Sequence, residues 1–248
     1  MYTLAFGTYI FPNQTFELKG LGLVFELDQA QVPRRAGSRV AARSTRAREI
    51  RIDGKIHGDT EQAVYQDLSN MAKALDQGLQ NFQYRDTRIL ECWTQRIAHA
   101  FIEGANPCVA DVRLDLIAPF PYPRGVPHYG TSVTMLTTFQ TVDISYGGNA
   151  PSFPVLSLAA IGLTVNGAST VLRVQNLTTG EVFRYLGTLA PGASVTVDCR
   201  ENTVRKSGAD DINNFDGQFP QLAGGSNVFS VEGATLRFDL SWHERFYA

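Results

Sequence analysis

The 248-residue chain has few cysteines, no membrane-length apolar run and no strong excess of either charge. Its three cysteines, Cys92, Cys108 and Cys199, form an odd set at wide spacing with no CxxC motif. That excludes a disulfide framework and a cysteine-based zinc ribbon. Buried thiols in a protein made in a reducing cytoplasm fit the count, with one disulfide plus one free thiol as the alternative. No apolar run approaches the roughly 20 residues of a membrane helix, so membrane insertion is not expected. The opening Met1-Tyr-Thr-Leu-Ala-Phe6 lacks the basic and long apolar regions of a secretory signal and reads as a strand. A net charge of −2 supplies no global field for nucleic acid. P-loop, GxGxxG, GxSxG and HExxH patterns are missing too, so the sequence predicts no catalytic residue, no metal site and no cofactor.

What is present is the composition of a globular protein, 44% hydrophobic, long enough for one large or two ordinary domains. The segment Ala118-Pro-Phe-Pro-Tyr-Pro-Arg-Gly-Val-Pro127 holds four prolines in ten positions. Proline removes backbone donors and resists regular structure, so a boundary is expected there. The predicted domains are 1–125 and 126–248. Residues 1–118 carry 14 Lys+Arg and 14 Asp+Glu against 8 and 10 in the remainder, so the first half is the more highly charged.

The first half reads as α+β. Leu21, Leu23, Phe25 and Leu27 alternate through a strand expected over Gly20 to Asp28. Ile50, Ile52 and Ile56 mark a second strand within Glu49 to Gly58. Asp59-Thr60 offers an N-cap, and Val64, Leu68, Met71 and Leu75 follow at helical spacing. Gly78 stops the helix, which is expected within 60–77 and is the one strong helix of the chain. Leu79 to Tyr84, Ile89 to Ile102 and Cys108 to Ile117 read as strands.

The second half reads as all-β. Strands are expected at Ser132–Val142, Phe153–Ala159, Thr170–Asn176, Glu181–Leu186, Ser194–Asp198, Thr203–Lys206, Asn227–Val231 and Thr235–Trp242. Spacing near ten residues with Gly, Pro or Asn turns suggests a sandwich. The turns are specific: Asn176 to Gly180, Pro191-Gly192, and Gly224-Gly225-Ser-Asn227.

Those turn units in order, entered through Tyr146-Gly-Gly-Asn-Ala-Pro-Ser-Phe-Pro154, resemble the C-terminal domain of siphophage distal tail proteins. The first half resembles the ring-forming domain of the same family, through Ile52-Asp-Gly-Lys-Ile56, the helix ending Ala72-Lys-Ala-Leu75, and Asn81-Phe-Gln-Tyr84. The resemblance implies a mainly β protein with one α-helix: an N-terminal α+β ring-forming domain followed by a C-terminal galectin-like β-sandwich. It implies a structural, non-enzymatic component of a long non-contractile tail tip, assembled in the bacterial host cytoplasm. There a homo-hexameric ring joins the tail tube protein to a tail-hub or tail-associated protein and leaves a channel for DNA. Receptor-binding or side-fibre proteins are further implied partners. The alternative reading is a carbohydrate-binding, lectin-like sandwich, which needs an aromatic platform; Trp93 and Trp242 are its candidates, with core or interface packing as their other reading.

One charge cluster stands apart. Val32 to Arg48 contains Arg34, Arg35, Arg39, Arg43, Arg46 and Arg48 and no acid. It lacks an apolar face and reads as an extended or mobile loop between strands. In a ring these arginines would line the channel, touching DNA transiently and without base readout, or form subunit contacts; a solvated connector is the plain alternative. Elsewhere, His57, His99, His128 and His243 are scattered. Asp210-Asp211 with Asp216-Gly217 reads as an acidic turn rather than a cation loop. Asp53 and His57, four apart, make a poor catalytic pair.

Overall fold

The computed structural model describes all residues except 1–3, 12–15, 24, 32–37, 86, 102–107, 136–138, 162–164, 167–171, 234 and 248, with the backbone alone described at 25–31, 38–44, 135 and 166. The chain divides into two units, Met1–Arg124 with Tyr247–Ala248, and Gly125–Phe246.

Unit 1 contains β1 (Ala5–Phe6), β2 (Tyr9–Ile10), β3 (Phe16–Lys19), β4 (Phe25–Gln31), β5 (Ser38–Thr45), β6 (Arg48–His57), α1 (Glu61–Leu75), β7 (Gln80–Arg85), β8 (Arg88–Phe101) and β9 (Val109–Ala118). Strands β3, β6, β9 and the second half of β8 form an antiparallel sheet in that order. Its one face is apolar because Ile50, Ile52 and Ile56 of β6 meet Ala110, Val112, Leu114 and Leu116 of β9 in the same core. Helix α1 lays Val64, Leu68, Met71 and Leu75 into that core. Thr60 caps the helix: its Oγ1 accepts the Ala63 N–H at 3.2 Å. Gly78, at φ +79°, takes the chain out of the helix and on to β7.

Two expectations in this half need correction. The strand expected over Gly20 to Asp28 is broken. Gly20 sits at φ +84°, and a Cβ there would lie 2.2 Å from the Glu49 carbonyl oxygen. Only glycine fits, so the chain bends between β3 and β4. The expected loop over Val32 to Arg48 is largely strand: β5 pairs with β4 from Phe25↔Thr45 to Gln31↔Ser38, and β6 begins at Arg48. A ladder supplies backbone pairing whatever the side-chain pattern, so polar periodicity alone did not reveal it.

Unit 2 contains β10 (Arg124–Met135, opening on the last residue of the first stretch of unit 1), β11 (Phe139–Tyr146), β12 (Val155–Ala160), β13 (Val165–Asn166), β14 (Leu172–Asn176), β15 (Val182–Tyr185), β16 (Thr188–Leu189), β17 (Ser194–Asp198), β18 (Thr203–Lys206), β19 (Ala209–Asp210), β20 (Phe215–Gly217), β21 (Gly225–Glu232) and β22 (Leu236–Arg245). The strand expected over Ser132–Val142 is two strands. One sheet runs β19-β18-β17-β12-β22-β10 and the other β11-β21-β14-β15-β20. Leu156, Leu158, Val195 and Phe238 from the first meet Ile144, Val174, Phe183 and Phe229 from the second in one core, which makes the unit a β-sandwich.

The turns of this unit are held by side chains. Asn176 is buried; its amide donates to the Gln221 carbonyl at 2.7 Å, and its Oδ1 accepts from Thr178 N at 3.0 Å. Asn227 closes the neighbouring turn through Ala223 O at 2.8 Å. Tyr146 Oη donates to Ala150 O and accepts from Arg245 N, each at 2.7 Å. These buried groups satisfy loop amides and carbonyls that the sheets leave unpaired.

Candidate functional site

The chemistry-bearing side chains do not converge. Among the described residues no group of three His, Cys, Asp or Glu could hold a metal ion. Asp211 accepts from Tyr185 Oη at 2.5 Å and from Asn214 Nδ2 at 2.7 Å, which makes it a turn-holding group; Asp210 and Asp216 are exposed. His99 meets the edge of Phe101, and His128 lies against His243 with ring centroids 4.8 Å apart. None of the three cysteines is in a disulfide. Burial pushes the Cys92 thiol up to about 12 against the opposing pull of Arg48, and burial pushes Cys199 up as well. Neither supplies a thiolate near neutrality. The two tryptophans part company. Trp242 is 8% exposed and stacks with Tyr129, whereas Trp93, for which core packing was one reading, is 48% exposed. Trp93 flanks a groove of about 570 Å³ whose lining mixes Ala72, Leu75 and Ile97 with Ser69, Lys73 and Asp76.

The built feature of unit 1 is the outward face of its four-stranded sheet. Alternation that sends isoleucine and leucine inward sends charge outward. One row reads Lys19, Arg51, Asp115 and Arg96 across β3, β6, β9 and β8; the next reads Glu17, Asp53, Arg113 and Ala98; the third holds Lys55, Asp111 and Ala100. Asp53 is the hub. It accepts from Arg51 Nε at 3.0 Å, Arg113 Nε at 3.0 Å and Lys19 Nζ at 3.3 Å, tying three strands together. Partial burial alone would raise its pKa, but the hydrogen bonds from Arg51, Arg113 and Lys19 outweigh it and hold the carboxyl at about 2. Beside this hub Ala98 and Ala100 keep β8 low, which opens a groove of about 710 Å³ rimmed by Glu17, Lys55, Asp111 and Arg113.

Both edges of this sheet are open. Among the described residues β3 pairs only with β6, and β8 from Thr94 to Phe101 pairs only with β9. Each open edge carries half-buried apolar groups, Phe16 and Leu18 on β3, Ile97 and Phe101 on β8. Sequence reading missed the hub and the edges. The signal was the alternation of Arg51, Asp53 and Lys55 with the isoleucines of β6, and of Asp111, Arg113 and Asp115 with the apolar residues of β9. It becomes a site only once the register that pairs opposite charges is known.

The six arginines are dispersed. Arg34 and Arg35 lie outside the described residues. Arg39 and Arg43 lie on β5, paired with Ala30 and Leu27. Arg46 is exposed in the turn between β5 and β6. Arg48 is a correction: at 2% exposure it is not a surface cation. It opens β6 at the point where Tyr84 and Cys92 close over it, and burial lowers its pKa against the opposing influence of Tyr84.

Comparison with known proteins adds the following. Residues 147–246 match the family described as siphovirus-type tail component, C-terminal domain. No curated protein matches the chain. Among solved structures the chain is similar to the Dit protein (gp 19.1) of phage SPP1, described as a paradigm of hub adsorption apparatus in Gram-positive infecting phages. That similarity has a TM-score of 0.73 at 15% identity and covers 99% of each chain. The baseplate of phage p2 in its activated conformation with Sr is similar at a TM-score of 0.48 and 10% identity over 97% of each chain. The same baseplate with Ca gives 0.46 at 10% identity over 92% of this chain and 89% of that one.

Proposed function

We propose that this chain, a siphovirus-type tail component with the fold of a phage distal tail protein over its whole length, closes into a head-to-tail ring through the open sheet edges of unit 1. One observation carries the reading. The strands β3, β6, β9 and β8 alternate in direction, so the next strand after β8 must run as β3 does to continue the sheet antiparallel. A rotated copy in the same orientation offers its own β3 in that direction. Unpaired N–H and C=O groups on both edges then find partners, and the half-buried Phe16, Leu18 and Ile97 lose their remaining exposure. A heterologous contact of this kind builds a ring when the rotation closes, and six copies are the proposed number.

In the ring, helices cover one face of the continuous sheet and alternating charges cover the other. The charged face is assigned to the central channel, where neighbouring signs offer passing phosphates no continuous grip. Arg39, Arg43 and Arg46 are assigned to the channel or to a subunit contact. The two sides of the ring meet the tail tube protein and a tail-hub or tail-associated protein, and unit 2 offers a surface to receptor-binding or side-fibre proteins. The place of action is the virion tail tip, after assembly in the host cytoplasm, and the role is structural rather than enzymatic. The lectin reading is not favoured, because the matched family and the similar solved structure are phage tail components.

The test is light scattering after gel filtration, with negative-stain imaging. Rings are expected, alone or after addition of tube or hub protein; a monomer under all these conditions overturns the reading. The edge contact is tested separately by Leu18→Cys combined with Ile97→Cys or with His99→Cys. Oxidation is expected to give a ladder of linked chains in at least one combination. Intact rings without any ladder would reject the edge pairing and keep the ring.

A further inference from the structure

Among the described residues Arg48 is the largest fully buried side chain. Among the described residues its one hydrogen bond runs from Nη2 to the backbone carbonyl oxygen of Tyr247 at 3.1 Å, across a separation of 199 positions. Among the described residues its Nε and Nη1 are buried without a partner at hydrogen-bond distance, and Tyr84 beside it opposes the fall in its pKa. The seat around Tyr247 is built by unit 1. The Tyr122 ring meets the Tyr247 ring edge-on at 5.6 Å, and Tyr122 Oη is 2.9 Å from Thr45 Oγ1, three residues before Arg48. Tyr84 stands on β7, Cys92 on β8 and Arg48 on β6, so three strands of unit 1 meet at this cation.

A buried guanidinium is a costly way to fill space; a methionine would pack there without the loss of hydration. What the cation adds is a demand for an acceptor, and that acceptor is supplied by residue 247. We infer that Tyr247 is the latch of unit 1: its carbonyl takes the one hydrogen bond that Arg48 makes among the described residues, and unit 1 reaches full stability only with residue 247 in place. The whole of unit 2 is synthesised in between. A chain cut before Tyr247 therefore carries a unit 1 whose buried cation has lost that partner.

The inference is tested by a double-mutant cycle on the full chain, read by calorimetry. A chain ending at Phe246 is expected to lower the melting temperature of the unit 1 transition by about 5 °C. The same truncation in an Arg48→Met background is expected to shift it by no more than about 1 °C, because no cation is left to orphan. Tyr247→Ala keeps the carbonyl and should cost less than the truncation. Equal losses in both backgrounds, or none in either, would overturn the latch. If the truncated chain does not fold, hydrogen exchange on the intact chain in mild denaturant decides. Residues 45–52 and the Tyr247 amide should lose protection together in the wild type and separately in Arg48→Met; separate loss in the wild type rejects the coupling.

Discussion

Arg113 on β9 donates its Nε–H to Asp53 on β6 at 3.0 Å, and that bond is one of three that converge on the same carboxylate. Asp53 thereby becomes the acid-sensitive point of the sheet. Its folded pKa, about 2, lies below the usual 3.8, so its contribution is fully present above about pH 4 and is lost as pH falls through about 2. Asp53→Asn should separate from the wild type in denaturant midpoint at pH 6, and the gap should close between about pH 4 and pH 2. A constant gap over that range would show that the residue acts through shape rather than charge.

Tyr146 and Gly148 form a lock in unit 2. A Cβ at residue 148 would lie 2.2 Å from Tyr146 Oη, the hydroxyl that also holds Ala150 O and Arg245 N. Gly148→Ala is expected to destabilise by about 2 kcal/mol or more through this collision. Tyr146→Phe should cost about 1–3 kcal/mol, because the two backbone groups lose their partner while the ring still fills its site. Urea denaturation measures both. In the Tyr146→Phe background the glycine substitution should stay costly, because the ring Cζ at 2.4 Å and the Arg245 carbonyl oxygen at 2.5 Å still meet the added Cβ; a cost that vanished there would place the whole clash on the hydroxyl.

Leu68 tests the helix. It is 7% exposed and points into the core that α1 shares with β6 and β9. Leu68→Ala is expected to cost about 2–5 kcal/mol, from lost burial and the cavity left behind. A change within about 0.5 kcal/mol would put this side chain at the surface and contradict the packing of α1.

The arginines of β5 and its following turn are tested together. Replacing Arg39, Arg43 and Arg46 with Ser should leave the isolated subunit folded. A channel role predicts rings and tails that form normally, with DNA exit whose rate changes with salt. A contact role predicts fewer rings and no tails. Normal tails and infection at every salt concentration would return the segment to a solvated connector.

Much of the architecture was legible because local chemistry decided it. Thr60, the apolar spacing from Val64 to Leu75 and Gly78 specify α1 with no help from the rest of the chain. Strands β17 and β18 stand where alternation placed them, since each has one face in the core and one outside. Gly180 and Gly192, at positive φ, turn the chain within a few residues of themselves, so their effect was readable too.

Other features were set across distances that periodicity does not span. Gly20 breaks a strand because the Glu49 carbonyl comes within reach of it, and β5 is a strand because β4 lies beside it. Arg48 illustrates the difference most directly. In sequence it is the last of six arginines in a polar stretch, and charge alone places it at the surface. In the fold it opens a strand whose neighbours bury it, and its partner is 199 positions away. Side-chain alternation, capping and turn chemistry are properties of neighbouring residues, so the sequence by itself determined α1, most of the strands, the mainly β class and the family likeness. Register, open edges, the Asp53 hub and the Arg48 latch depend on which strands meet, and pairing over long loops is decided only when the whole core closes.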